Sequence, residues 1–319
     1  MDLAYYSGLA MVTSAVLYLL AMVAYAAEWS AARALPVGAS AKTKTRVLTG
    51  AGGPDVPEAV DQPAAEVSSR IRVDMFGRMG IALTLLAAGS HLGGVVLRGV
   101  AAGRAPWGNM YEFVTASLLV VVTVYLVLAL RLGMRWLGLP VTLLVTIGQG
   151  LAVTVFYVAV SPLMPALHSV WFLIHIVAAA VAGAAFNVGA IASILYLVKS
   201  RAEARGVVRG YLAKLPSAKA IDTLAYRMHA FGFPLWTFAV AAGAVWAEYA
   251  WGRYWGWDPK ETWSLVTWVV YAGYLHARAT AGWRGKRAAW IAVVGLATFW
   301  FNFVGVNLLI SGLHSYSGI

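Results

Sequence analysis

Eight runs of mostly apolar residues, at about 4–26, 79–97, 113–130, 138–160, 171–198, 231–247, 262–276 and 289–311, limit what this chain can become. A helix of roughly 20 such residues crosses the hydrocarbon core of a bilayer. Lipid offers no hydrogen bonds, so the backbone must satisfy itself, which a helix does along its own length. The expected fold class is therefore all-α, a polytopic transmembrane helical bundle of about eight helices. Composition agrees: 61% of the residues are hydrophobic and 12% charged, against about half apolar and a quarter charged in soluble domains. The first run follows Met1-Asp2-Leu3 with no positive residue before it and is longer than a signal's apolar region, so it is expected to stay as a helix.

Lys and Arg divide unevenly between the two sides of such a bundle. Of 24, 20 fall in the alternate segments 27–78, 131–137, 199–227 and 277–288, and only Arg98, Arg104, Arg253 and Lys260 fall in the opposite set. Short cytoplasmic loops keep positive charge, so both termini are expected on the outer side of a bacterial plasma (inner) membrane. The net charge of +11 then reports topology. Basic residues spread over four loops form no nucleic-acid motif, and the partner they imply is the lipid membrane.

The chain divides into a first helix at 1–26, a mobile cytoplasmic linker at 27–78 rich in Ala, Val, Pro and Gly, and a membrane domain at 79–319. There is no cysteine, so any thiol in the reaction comes from another molecule. No phosphate-binding Gly-rich loop is present either.

The chemistry concentrates at the outer ends of the spans. Six of the 14 tryptophans lie within 246–268, interleaved with Gly252, Gly256 and Pro259. An interfacial belt also collects tryptophan, but it spreads its rings over many helix ends. Small residues between rings let a flat apolar ligand approach, and ring faces bury large area against it. His175 opens the fifth span and His314 ends the eighth, both at the outer face. His276 falls roughly 20 Å below that face at 1.5 Å rise per residue, where an ionisable group is costly and by default functional. Neutral imidazole is a common axial ligand of haem iron. Singly, each histidine is more often a satisfied polar core residue; beside the aromatic shelf, haem ligation is the better reading. His91 is placed near the outer end of the second span, His229 at the cytoplasmic start of the sixth, and His168 in an outer loop; the last two read as structural.

The run Trp251-Gly-Arg-Tyr-Trp-Gly-Trp-Asp-Pro-Lys-Glu-Thr-Trp263, with Tyr274-Leu-His276 after it, resembles the tryptophan-rich "WWD" signature of haem-handling membrane proteins. The nearest likeness is to the CcsA/ResC family of the System II cytochrome c synthase, supported by Pro106-Trp-Gly-Asn-Met-Tyr-Glu112, Gly232-Phe-Pro234 and Gly305-Val-Asn-Leu-Leu309. The resemblance covers about 105–316. It implies cytochrome c biogenesis, as part of a holocytochrome c synthase: haem b is transported and held at the outer face for attachment to the Cys-x-x-Cys-His motif of apocytochrome c. It assigns His175 and His314 to iron at an outer site and His276 to haem inside the membrane. The porphyrin would be cradled by Trp251, Trp255, Trp257, Asp258 and Trp263. It also implies a ResB-like (CcsB) membrane subunit and a thiol-reducing protein as partners. A haem exporter without ligation activity and a b-type electron-transfer subunit are the rival readings. Arg253 stands where the family often has a small residue.

Overall fold

The computed structural model describes residues 2–33, 64–280 and 282–314. Among them the chain is helical, with no strand. The long helices are α1 (Leu3–Ala32), α2 (Ala64–Ala102), α3 (Met110–Leu132), α4 (Gly138–Thr154), α5 (Val170–Ala204), α7 (Ala218–Trp251), α8 (Pro259–Ala279) and α9 (Lys286–Trp300). Two one-turn helices, α6 (Tyr211–Lys214) and α10 (Val306–Leu309), complete the set, and a π-helical turn, Phe301–Gly305, joins α9 to α10.

Among the described residues, seven helices are long and apolar enough to cross a membrane: α1 to α5, α7, and the stretch Lys286–Leu309. The remaining expected span is α8, whose 21 residues reach about 30 Å but carry Lys260 and Glu261 in the first turn and His276 and Arg278 in the last. Its polar groups sit at the two ends, where long side chains can reach the interface. The protein is thus a multi-pass helical membrane protein.

Most helix ends lie beyond the apolar runs read from the sequence, although α4 stops at Thr154, short of the expected 160. Helix α1 runs on to Ala32 and α2 begins by Ala64, so both enter the interval read as a linker; 34–63 lies outside the described residues. Helix α7 begins at Ala218, 13 residues before its apolar run. Apolarity marks the part of a helix in lipid, and the helix continues past it wherever polar side chains can solvate it.

Two ends of the bundle differ in chemistry. At the basic end, Arg135 pairs with Glu28 at 3.1 Å and Asp74 at 3.2 Å. Arg278 makes a two-pronged pair with Asp222 at 2.7 and 2.9 Å, and Lys199 donates to the Leu212 carbonyl. At the aromatic end, Arg98 donates to the Val158 carbonyl and Arg104 to that of Ser161, drawing the two loops beside α3 together.

Packing follows from small residues opposite rings. Helix α1 lies along α2, and α5 along α7. The Tyr25 ring of α1, fully buried and bonded to the Tyr125 hydroxyl at 2.7 Å, lies against Gly80 of α2 and Gly138 of α4; a Cβ at either glycine would fall 2.6 Å from it. Farther along, Phe186 of α5 stacks on Tyr271 of α8 at 3.8 Å, between Trp236 and Phe299.

Gly80 therefore trades helix propensity for contact. Alanine in a helix interior gains about 0.5–1 kcal/mol over glycine, while overpacking a rigid ring costs about 1–3 kcal/mol. Gly80→Ala is expected to lower the thermal midpoint of the purified protein in detergent. Gly93→Ala, on the same helix with nothing within 4 Å, should raise it or leave it unchanged; the reverse order would refute this account of the α1–α2 contact.

Candidate functional site at the aromatic end

The loop from Arg253 to Glu261 is organised by two carboxylates, Asp258 and Glu261. Asp258 caps α8, with Pro259 in the first turn, where its missing N–H is no loss. Glu261 closes the capping box, accepting from the Gly256 N–H at 2.8 Å, the Asp258 N–H at 3.1 Å and the Arg253 guanidinium at 3.1 Å. That guanidinium lies over Gly256, where a Cβ would collide with it. Trp257 takes a left-handed φ of 59°, uncommon for a bulky residue and costly unless the surroundings impose it.

Helix α3 starts in the same way. Glu112 accepts from the Gly108 N–H at 2.7 Å and from Arg104 at 2.7 Å, and Asn109 caps the helix through the Glu112 N–H at 3.0 Å. Arg98 adds a second cation at 2.9 Å.

Two histidines meet at this end. His314 packs its Nδ1 3.0 Å from the Asp258 carboxylate, which also accepts the Leu313 N–H at 2.8 Å. Burial would raise the Asp258 carboxyl; the bonds from His314 and from the Leu313 and Lys260 N–H groups outweigh it and hold it at about 2. The ionised carboxylate can only accept, so Nδ1 of His314 carries the proton. His175 reaches the same tautomer by another route. Its Nδ1–H donates to the Ala239 carbonyl of α7 at 2.6 Å, and the absence of a side chain on Gly243 admits the ring; a Cβ there would lie 2.7 Å from Nδ1. An imidazole held through one nitrogen presents the other as a ligand in a fixed direction.

Trp246 stands between the two rings, 5.9 Å from His175 and 5.4 Å from His314. Its indole N–H is tied to the Ala166 carbonyl at 2.7 Å. Both histidines line one cavity, with Trp236, Trp246, Trp255 and Trp300 among its walls. Lys260 and Glu261 border it, and Asn187, Asn302 and Asn307 give its apolar interior a few polar groups.

The other sequence-expected residues are dispersed. Trp255 lines the cavity. Trp251 does not, and packs edge-on against His314 at 4.8 Å. Trp257 is 68% exposed and points away. Asp258 lies behind His314, and Trp263 packs on Phe301 at 4.3 Å. Arg253 is engaged by Glu261. His276 lies at the basic end, exposed on the last turn of α8.

His229 is corrected in depth: it sits 11 residues into α7, fully buried with neither ring nitrogen hydrogen-bonded, against Gly189 and Tyr274. The Gly189 carbonyl is the polar group that faces it, outside hydrogen-bonding geometry. His91 is likewise 11 residues inside the end of α2 and fully buried. Trp246, Gly243 and Asn302 were not marked as site residues in the sequence; the Gly-x-x-Trp spacing of 243 and 246, one helical turn facing His175, is the signal that marks the first two.

Residues 107–314 match the family described as cytochrome C assembly protein. The chain belongs to that family. It is 33% identical over 297 residues to the cytochrome c biogenesis protein CcsA of Picosynechococcus sp., covering 75% of this chain and 87% of that one. Its identity to the CcsA of Trieres chinensis is 36%, over 69% of this chain and 80% of the relative, and to that of Porphyra purpurea 33%, over 77% and 89%. Among solved structures, the cytochrome c haem lyase CcmF shares the fold, with a TM-score of 0.63 at 14% identity. The match covers 95% of this chain and 47% of that one, so this chain spans about half its length.

A depressed carboxyl stabilises the folded state above its unfolded pKa and loses that contribution as pH falls through the folded one. The Asp258 contribution is thus complete above pH about 4 and lost toward pH about 2. Stability of the purified protein should be flat in this respect from pH 5 to 8, and Asp258→Asn should shrink the acid-limb dependence in thermal melts; an unchanged acid limb would refute the Asp258 assignment.

Proposed function

We propose that this chain acts in cytochrome c biogenesis by binding haem as a transported substrate and presenting it at the aromatic end for covalent attachment to apocytochrome c. The observation that carries the reading is the pair His175 and His314, which line one apolar cavity with each Nδ1 committed to a fixed acceptor. Both rings border the space that a bound haem would fill. Tryptophan walls suit a flat conjugated ring, and family membership supplies the biological setting.

Attachment adds a cysteine S–H across a haem vinyl group: the sulfur–carbon bond forms and the proton goes to the neighbouring carbon, so no oxidant is consumed. The chain has no cysteine, and its contribution is positioning and axial ligation. The cysteines come from the Cys-x-x-Cys-His motif of apocytochrome c, kept reduced by a thiol-reducing protein. The Lys and Arg bias supports placing the aromatic end on the outer side of a bacterial inner membrane. Haem b fits the role because it carries both vinyl groups.

His276 serves a separate, inner binding point. It is exposed on the face of α8 that includes Val269, Gly273 and Thr280, and nothing lies within 4 Å of where a Gly273 Cβ would be. Small residues let a neighbouring transmembrane helix approach closely, so a ResB-like subunit docked there would supply the second imidazole.

Three measurements test this. His175→Ala and His314→Ala should each lower haem per protein, read from the Soret band of the purified complex, at least tenfold, while His168→Ala stays near wild type; equal behaviour of all three would remove the basis for ligation. Reporter fusions within 161–170 and 248–260 should read as exported, and those within 199–217 as cytoplasmic. His276→Ala in the complex should lower loading at both points, and full outer loading in that variant would refute an inner point that feeds the outer one.

A further inference from the structure

The cavity continues well below the two histidines, and its deepest polar groups have no part in iron ligation. Asn187, Asn302 and Asn307 all line it. Two have their amides occupied within the protein. Asn187 donates to the Gly183 carbonyl at 2.8 Å and accepts the Trp300 indole N–H at 3.0 Å, and Asn307 donates to the Phe303 carbonyl at 2.6 Å. Asn302 is the exception. It is 5% exposed, and its Oδ1 is buried without a hydrogen-bond partner.

The backbone is specially shaped to put it there. Asn302 is the second residue of the π-helical turn Phe301–Gly305, a rare insertion that re-aims side chains and recurs at functional sites. Trp263 packs on Phe301 at 4.3 Å, and Gly305 accommodates the same ring, since a Cβ there would lie 2.7 Å from it. The turn is thus clamped from both sides around one unsatisfied amide. A buried acceptor left unpaired is costly, so a ligand that supplies a donor at this point recovers that loss.

We propose that Asn302 binds the carboxyl-bearing edge of the porphyrin as a neutral acid, with the acid O–H donated to Oδ1 and the Asn302 amide N–H donated to the acid carbonyl. This rests on the haem reading above. The vinyl and propionate groups occupy opposite edges of the ring, and thiols of a polypeptide in water can reach only the edge at the mouth. The propionate edge then points inward, toward α9. About 10 Å of helix separates Asn302 from Leu309, the last helical residue before the His314 segment. In surroundings this apolar a carboxyl favours its uncharged form, which supplies the donor that an orphan carbonyl oxygen requires. Asn302 is a specificity-determining residue for the cargo: it distinguishes porphyrins that carry a free acid from those that do not.

The test is a Soret titration of the full chain in nanodiscs with haem and with haem dimethyl ester, which keeps ring, iron and vinyls but has no acid proton. For Asn302→Leu, the haem-to-ester affinity ratio should fall about fivefold or more below the wild-type ratio, with ester binding retained, which also shows that the variant is folded. Asn302→Gln should keep most of the discrimination. A wild-type ratio in Asn302→Leu would overturn the proposal. His175→Ala is the separate control: it should weaken both ligands alike, and if it leaves both untouched the ligation reading fails whatever Asn302 does. Failure of the wild type to bind either ligand overturns both.

Discussion

One carboxylate, Asp258, performs three tasks that other sites divide among several residues. It starts α8 by capping it, it receives the backbone of the returning chain at Leu313, and it fixes the tautomer of His314. The positions of a helix, a chain segment and an imidazole ring therefore share a single anchor. Such coupling makes the geometry stiff, because no one of the three can shift without breaking a charge-assisted bond to the others. It also explains why the carboxyl stays ionised although burial opposes it.

The two acidic caps of the aromatic end, Glu112 and Glu261, carry the same device in loops of different length: an arginine and a glycine N–H converge on a glutamate one turn into the helix. Each loop presents a tryptophan just before its glycine, Trp107 and Trp255. The first packs in the cluster with Trp246 and the second lines the cavity. One structural solution used twice positions both the support and the wall of the site.

What could be read from the sequence followed from burial and spacing. The spans were legible because a long apolar run in lipid must satisfy its own backbone and does so as a helix, and His175 and His314 were legible as polar groups at the ends of apolar runs. Side-chain direction was not. Trp257 turns outward because its φ is left-handed, and Trp263 faces α9 because of the phase of α8, neither of which a list of tryptophans contains. Asn302 was hidden for a related reason: a π-helical turn breaks the regular 100° step on which any helical-face argument depends. His229 escaped because α7 starts three turns before its apolar run, so a residue that looked peripheral lies in the interior.

The stack of Phe186 on Tyr271, with His229 sealed beneath it, has a consequence for traffic. It gives the cavity a dry, close-packed floor, so that the protein is shaped as a cup and not as a pipe. Under the proposed haem-carrying function, cargo from the basic end would pass along the outer flank of the bundle, where α8 exposes His276, toward the cavity rim at Lys260 and Trp255. A neighbouring subunit against that flank would serve as the second rail of a ladder, and the cup would be filled from the side.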